Sequence, residues 1–165
     1  MIRAAKAGDI PALVKLMVEA HRNSARAEAG AVDEKAAKEI LLAMIIRNGG
    51  RGINGTHCLV AERDGPVVGM LFGAKQRIQL IGDRWEATDV FFLMGKGATP
   101  FMAPAMMESF LAWARMDSRV HRAFLGATDQ IGDWRKTAEM YQRCGFTQCG
   151  GFFEKTFDRA QRSAA

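Results

Sequence analysis

The sequence predicts a single α/β (α+β) domain built on a central mixed, mostly antiparallel sheet with helices on both faces. Three observations predict it. Segments with apolar residues every three or four positions are interspersed with short runs rich in Val, Phe and Leu, in the order β-α-α-β-β-β-α-β-α-β. The central strands follow one another without a helix, and turn residues join them as hairpins. Helices before and after that run require an apolar surface on each side of the sheet.

Ile2 to Ala5 reads as a short strand. Gly8 and Asp9 break it, Asp9 can cap a helix, and Pro11 suits a first helical turn. Ile10, Leu13, Val14, Met17 and Val18 then share one face of a helix over residues 10–22. Asn23 to Ala31 is small and polar, a loop or frayed helix end. Asp33 caps a second helix reaching about Asn48, with Ile40, Leu41, Met44 and Ile45 inward. Gly49, Gly50, Gly52 and Gly55 loosen the next connection. Strands follow at residues 58–62 and 67–80, joined through Arg63-Asp64-Gly65-Pro66, and a third covers about Trp85 to Met94. A glycine-bearing turn leads to a long helix over Phe101 to Met116, and a strand is expected at Ala123 to Ala127. Asp133 or a nearby residue starts a last helix through about Arg143 that Gly145 ends, and Phe146 to Phe157 is strand-like, with a bulge or turn at Gly150-Gly151. No repeat or linker divides the chain, so residues 1–158 are expected to form one domain and 159–165 a solvated tail.

Composition narrows the function classes. With 48% hydrophobic and 25% charged residues the chain resembles ordinary globular proteins. No apolar run approaches the ~20 residues of a membrane span, and MIRAAKAGDIP has no apolar signal core, so a cytoplasmic location and no membrane partner are expected. The net charge of +5 suits an anionic ligand or an ordinary basic surface, and no nucleic-acid motif accompanies it. Three cysteines, Cys58, Cys144 and Cys149, fit no metal spacing and read as free thiols; a site with His57 is the alternative. Methionines such as Met102 and Met106 recur at helical spacing and read as core filler.

Two stretches carry a resemblance to the GNAT superfamily of N-acetyltransferases. Ala138-Glu139-Met140-Tyr141-Gln142-Arg143-Cys144-Gly145-Phe146 resembles the family's late A-x-x-Y-x-x-x-G-F signature, with all four specified positions kept. Phe91 to Arg115 aligns without a gap to the acetyl-CoA strand, pyrophosphate loop and following helix. In the loop the family pattern is Gln or Arg, two free positions, Gly, one free position, then Gly or Ala. Here Ala98-Thr99-Pro100-Phe101-Met102-Ala103 occupies it, and only Ala103 satisfies a specified position. Ala98 replaces the polar side chain, Phe101 replaces the glycine that lets the pyrophosphate approach, and Pro100 removes a donor. A slipped register would put Gly95-Lys96-Gly97-Ala98 under the phosphates with Lys96 as a point charge, if the helix began a turn earlier.

The resemblance implies acetyl-CoA as cofactor, with Leu93, Thr99, Met102 and Ala103 as contact positions, and direct attack of an amine on the acetyl thioester. It places the oxyanion contact on backbone near Leu93 and gives the leaving thiolate its proton from Tyr141, whose ordinary pKa is about 10. Packing at the helix end is the other role open to Tyr141. Base candidates are Glu86, Asp89 and Asp129; strand alternation groups Asp89 with Phe91 and Leu93, and Asp129 could instead cap a helix near Ile131. His21, His57 and His121 read as surface or capping residues. Two functions remain open. One is an active acetyltransferase acting on a small-molecule or protein amine. The other is a catalytically degenerate GNAT-fold binding or structural protein, of the kind found among bacteriophage proteins, that works through a protein partner or homo-oligomer and does not use acetyl-CoA.

Overall fold

In a computed structural model the described residues are 1–24, 27–129 and 133–155. Four helices and five strands form from them: β1 (Ile2–Ala4), α1 (Ile10–Arg22), α2 (Glu34–Ile46), β2 (Thr56–Glu62), β3 (Val67–Arg77), β4 (Trp85–Met94), α3 (Met102–Arg115), β5 (Val120–Ala123) and α4 (Trp134–Arg143). The strands lie in chain order, β1-β2-β3-β4-β5. The first three pairings are antiparallel and β4–β5 is parallel, so the sheet is mixed as expected.

Local sequence accounts for most boundaries. Asp33 accepts a hydrogen bond from Ala36 N–H at 3.0 Å, and Asp133 does the same for Arg135 N–H at 3.0 Å, satisfying donors that a helix start leaves free. The β2–β3 turn has Asp64 at φ 54° and Gly65 at φ 104°, the left-handed pair that a two-residue hairpin needs. Asp9 is a correction: its side chain does not cap α1. Two bonds of 2.8 Å bind it to the Arg3 guanidinium and one of 2.8 Å to Lys6 N–H, and Arg3 also meets Glu62.

Two cores result, one on each face. Under α1 and α2, Leu13, Val14 and Leu16 meet Leu41, Met44, Cys58, Val60, Met70, Phe72 and Leu93. Under α3 and α4, Met106, Met107, Phe110 and Trp113 meet Leu59, Leu71, Ala87 and Tyr141. The inward face of α2 is Ala37, Leu41 and Met44; Ile40, expected inside, is 47% exposed because the helix phase turns it outward. Gly73 lets α3 pack close against the sheet: a Cβ there would lie 2.4 Å from the Phe110 ring.

Three strand expectations are corrected. β3 ends at Arg77, and Gln79 (φ 51°) and Leu80 (φ 65°) turn the chain in place of a strand to Leu80. β5 lies at Val120–Ala123, not at 123–127. Its polar residues hid it, yet Arg122 pairs with Glu86 at 2.8 Å, and Arg119, just before the strand, stacks on Trp85 at 3.9 Å. The final strand does not form among described residues; 146–155 have no ladder partner there, Thr147 to Lys155 are exposed, and Gly150-Gly151 favours no extended pairing. Residues 156 and 157 of that expected strand, and the tail, lie outside the described residues.

Candidate active site

The site begins with a defect in the β3–β4 ladder. Phe72 pairs with Phe91 and Gly73 with Asp89, so Val90 is an extra residue without a partner across the strand. A bulge of this kind reverses the alternation on one side of it. Phe92 and Ala87 therefore share the α3/α4 face while Phe91 and Leu93 share the other. Asp89 consequently faces α4, where its carboxylate accepts from Tyr141 O–H at 3.4 Å and Gly126 N–H at 3.3 Å. Grouping Asp89 with Phe91 and Leu93 by simple alternation is thus corrected.

The second element is a parting of strands. β4 and β5 pair only over Trp85–Ala87 and Val120–Ala123, followed by a last bond from Phe124 N–H to Ala87 C=O at 2.8 Å. Beyond it the two chains separate, and a cleft of ≈ 690 Å³ opens between them. Asp89, Gly126, Thr137 and Tyr141 line it on the α4 side, and Met17, His21, Val32, Phe91 and Leu93 continue it toward α1.

Tyr141 is held there by the end of its own helix. Gly145 takes φ 88°, Phe146 N–H donates to Tyr141 C=O at 3.0 Å, and Gly145 N–H donates to Gln142 C=O at 2.9 Å. This is a Schellman ending, and its usual apolar contact is the Tyr141–Phe146 ring pair, with centroids 5.6 Å apart. Phe92 stacks on the other side at 6.4 Å. The late signature thus has a local physical basis: glycine ends the helix so that the phenylalanine can brace the tyrosine. Burial, then the nearby Asp89 carboxylate, raise the Tyr141 pKa well above the ordinary phenol range. Burial also raises the Asp89 pKa, opposed by the Gly126 N–H.

The turn after β4 is built differently. Ala98 N–H donates to Gly95 C=O at 3.2 Å, Thr99 N–H points at Met102 Sδ at 3.5 Å, and Met102 N–H donates to Thr99 C=O at 3.1 Å. Pro104 has no N–H, and Ala105 N–H donates to Phe101 C=O at 3.2 Å. Phe101, the residue preceding α3, stands 82% exposed. Several amides that an anion would need are therefore occupied. The slipped register is not realised, because α3 begins at Met102 and Gly97 C=O is taken by Arg63 at 3.0 Å. Thr99, Met102 and Ala103 lie on this turn and helix start, and none of them lines the cleft that Leu93 and Tyr141 share.

The remaining candidates fall elsewhere. Glu86 is 4% exposed and its carboxylate is engaged, accepting from Arg122 Nε and Gln76 Nε2, both at 2.9 Å; a free base at this position is ruled out. Ile131, where Asp129 could have started a helix, lies outside the described residues, and α4 is capped by Asp133. His57 Nε2 lies 3.1 Å from Ser109 Oγ and its ring stacks on Trp113 at 5.3 Å, away from the cleft. His121 belongs to β5. His21 does reach the cleft lining, with Nε2 2.6 Å from Gly30 C=O. Gly126 and Phe152 also line the site, and nothing in their local sequence marks them.

This architecture is the GNAT-like fold, as solved structures of acetyltransferases show. A putative acetyltransferase from Agrobacterium tumefaciens superposes with a TM-score of 0.67 at 17% identity, over 95% of this chain and 99% of that one. A ribosomal-protein-alanine N-acetyltransferase from Brucella melitensis gives 0.67 at 23% identity, over 91% and 86%. A transcriptional regulator from Bacillus halodurans gives 0.69 at 17% identity, over 95% and 99%. No family model matches the sequence, and no curated protein matches it. No helix among the described residues is long and apolar enough to cross a membrane.

Proposed function

We propose that the protein is an N-acetyltransferase of the GNAT type, transferring an acetyl group to an amine in the cleft between β4 and β5. The observation that carries the reading is the juxtaposition, at 3.4 Å, of Asp89 and Tyr141 in that cleft. Acetyl-CoA, when bound, supplies the thioester carbonyl that the amine attacks. The edge of β4 near Leu93, open because β5 pairs only as far as Ala87, fits its acyl arm; the occupied amides of the turn fit its pyrophosphate poorly.

The residues divide the proton work between them. Asp89 is the base: burial makes its carboxylate a better proton acceptor than an exposed one, and it takes one proton from the acceptor ammonium. Backbone near Leu93 is the oxyanion contact. Tyr141 remains protonated throughout the neutral range and donates its hydrogen to the departing sulfur as the carbon–sulfur bond breaks. The proton held by Asp89 then restores Tyr141, and the amide's second proton leaves to solvent. Thr99, Met102 and Ala103 hold the rest of acetyl-CoA in this reading. A cytoplasmic setting belongs to it as well, supported by the free thiols of Cys58, Cys144 and Cys149.

Calorimetric titration with acetyl-CoA tests the proposal, and an affinity weaker than millimolar would reject it. Tyr141→Phe should lower turnover by about 10²-fold while leaving acetyl-CoA affinity within about twofold. Unchanged turnover would remove Tyr141 from the mechanism. A second reading, a degenerate binding or assembly protein, is favoured by one specific feature, the exposed Phe101 beside amides already bonded within the turn.

A further inference from the structure

We infer that the acceptor is a small primary amine carried on an apolar body, held in its ammonium form by Asp89, and that acidic amines are refused. The inference rests on the acetyltransferase reading and concerns which amine that site takes. Its first ground is charge. Among the described residues lining the cleft, Asp89, His21 and Tyr141 are the only ones with titratable side chains, and no Lys or Arg takes part. The net charge of +5 attracts anions at long range, so discrimination against them has to be local. Arg122, which lies over the lining residue Phe124 at 4.9 Å, is already paired with Glu86 at 2.8 Å, so its charge is compensated. A phosphate or carboxylate entering beside Asp89 would meet a like charge, and no Lys or Arg among the described lining residues offsets it.

The second ground is the character of the walls. On the α1/α2 side Met17, Val32 and Phe91 present apolar surface that also packs against the core beneath those helices. At the mouth Val90, 44% exposed through its bulge, stands with Phe124, 39% exposed. An amine on an alkyl or aryl stem covers such walls, whereas a polyhydroxylated body leaves its hydroxyls without partners. The third ground is how Asp89 is held. Gly126 N–H and Tyr141 O–H orient it from the α4 side at 3.3 and 3.4 Å, one donor to each oxygen, and each oxygen keeps a lone pair that can accept from an ammonium.

The test is calorimetric binding of 2-phenylethylamine, 2-phenylethanol and glucosamine 6-phosphate, each with and without saturating coenzyme A. It compares the wild type with Asp89→Asn, which keeps the side-chain shape and one acceptor oxygen. The wild type should bind the amine, and Asp89→Asn should bind it at least tenfold more weakly. The alcohol should bind both proteins alike, which shows that the apolar walls of the variant are intact. The sugar phosphate should bind neither. Absence of amine binding under both conditions, equal amine affinity in the two proteins, or tighter binding of the sugar phosphate than of the amine would overturn the inference. Amine binding that depends on Asp89 without turnover when acetyl-CoA is added would uphold this recognition and reject the transferase reading.

Discussion

Lowering the pH from 7 to 5 should cost the fold about 2 kcal/mol through His57 alone. Its imidazole is half-buried between Trp113, stacked at 5.3 Å, and Ser109, whose Oγ lies 3.1 Å from Nε2. Burial, and secondarily the nearby Lys75 ammonium, hold its pKa down to about 4 from the ordinary 6.5. Between those two values the unfolded chain binds a proton at this residue and the folded chain does not. Stability therefore falls as the pH drops through the window, and the loss comes to about 3 kcal/mol by pH 4. The variant His57→Phe keeps the stack on Trp113 and removes the titration. Urea unfolding of both proteins at pH 7 and pH 5 isolates the contribution: the wild type should lose about 2 kcal/mol more than the variant over that interval. Equal losses would show that His57 is accessible to protons in the fold, and the reasoning from burial would fail.

The same neighbourhood contains Lys75, 1% exposed, with Nζ 3.8 Å from Asp117, 4.4 Å from the Trp113 ring centroid and without a hydrogen-bond partner. Lys75→Met should leave stability unchanged or raise it by about 1–3 kcal/mol in thermal unfolding at pH 7, since Asp117 keeps its bonds to Arg119; a loss above ~1 kcal/mol would mean the buried ammonium is a net stabiliser. Gly73→Ala would place a methyl 2.4 Å from Phe110 and should destabilise by about 1–3 kcal/mol in chemical denaturation; a wild-type midpoint would show that α3 moves freely over the sheet. Phe101→Gly should change stability little, the ring being 82% exposed, while increasing acetyl-CoA affinity in the same titration that tests function. No gain would show that Phe101 is not what keeps the pyrophosphate away.

Features set by neighbours along the chain were legible in the sequence. The Asp64-Gly65 turn, the Asp33 and Asp133 caps, the span of α3 and the tyrosine signature ending at Gly145-Phe146 all depend on bonds closed within a few residues. Such bonds form whatever the rest of the fold does, so residue types alone report them. Tyr141 was singled out by the resemblance that this signature carries, and the Schellman ending that holds it is local.

Tertiary structure decided what the site contains. The extra residue Val90 exists only in the pairing of β4 with β3, and it alone turns Asp89 from the face of Phe91 to that of Tyr141. Glu86 and Asp89 are both strand carboxylates, three residues apart in sequence; Arg122 occupies the first and the second is left to the cleft. β5 could not be read from Val-His-Arg-Ala because its arginine, Arg122, is satisfied by Glu86 across the sheet. The sequence by itself determined the layers and the helix end that carries the phenol. The face, the partner and the opening between β4 and β5 came from register and from strands parting, which depend on contacts between residues far apart in the chain.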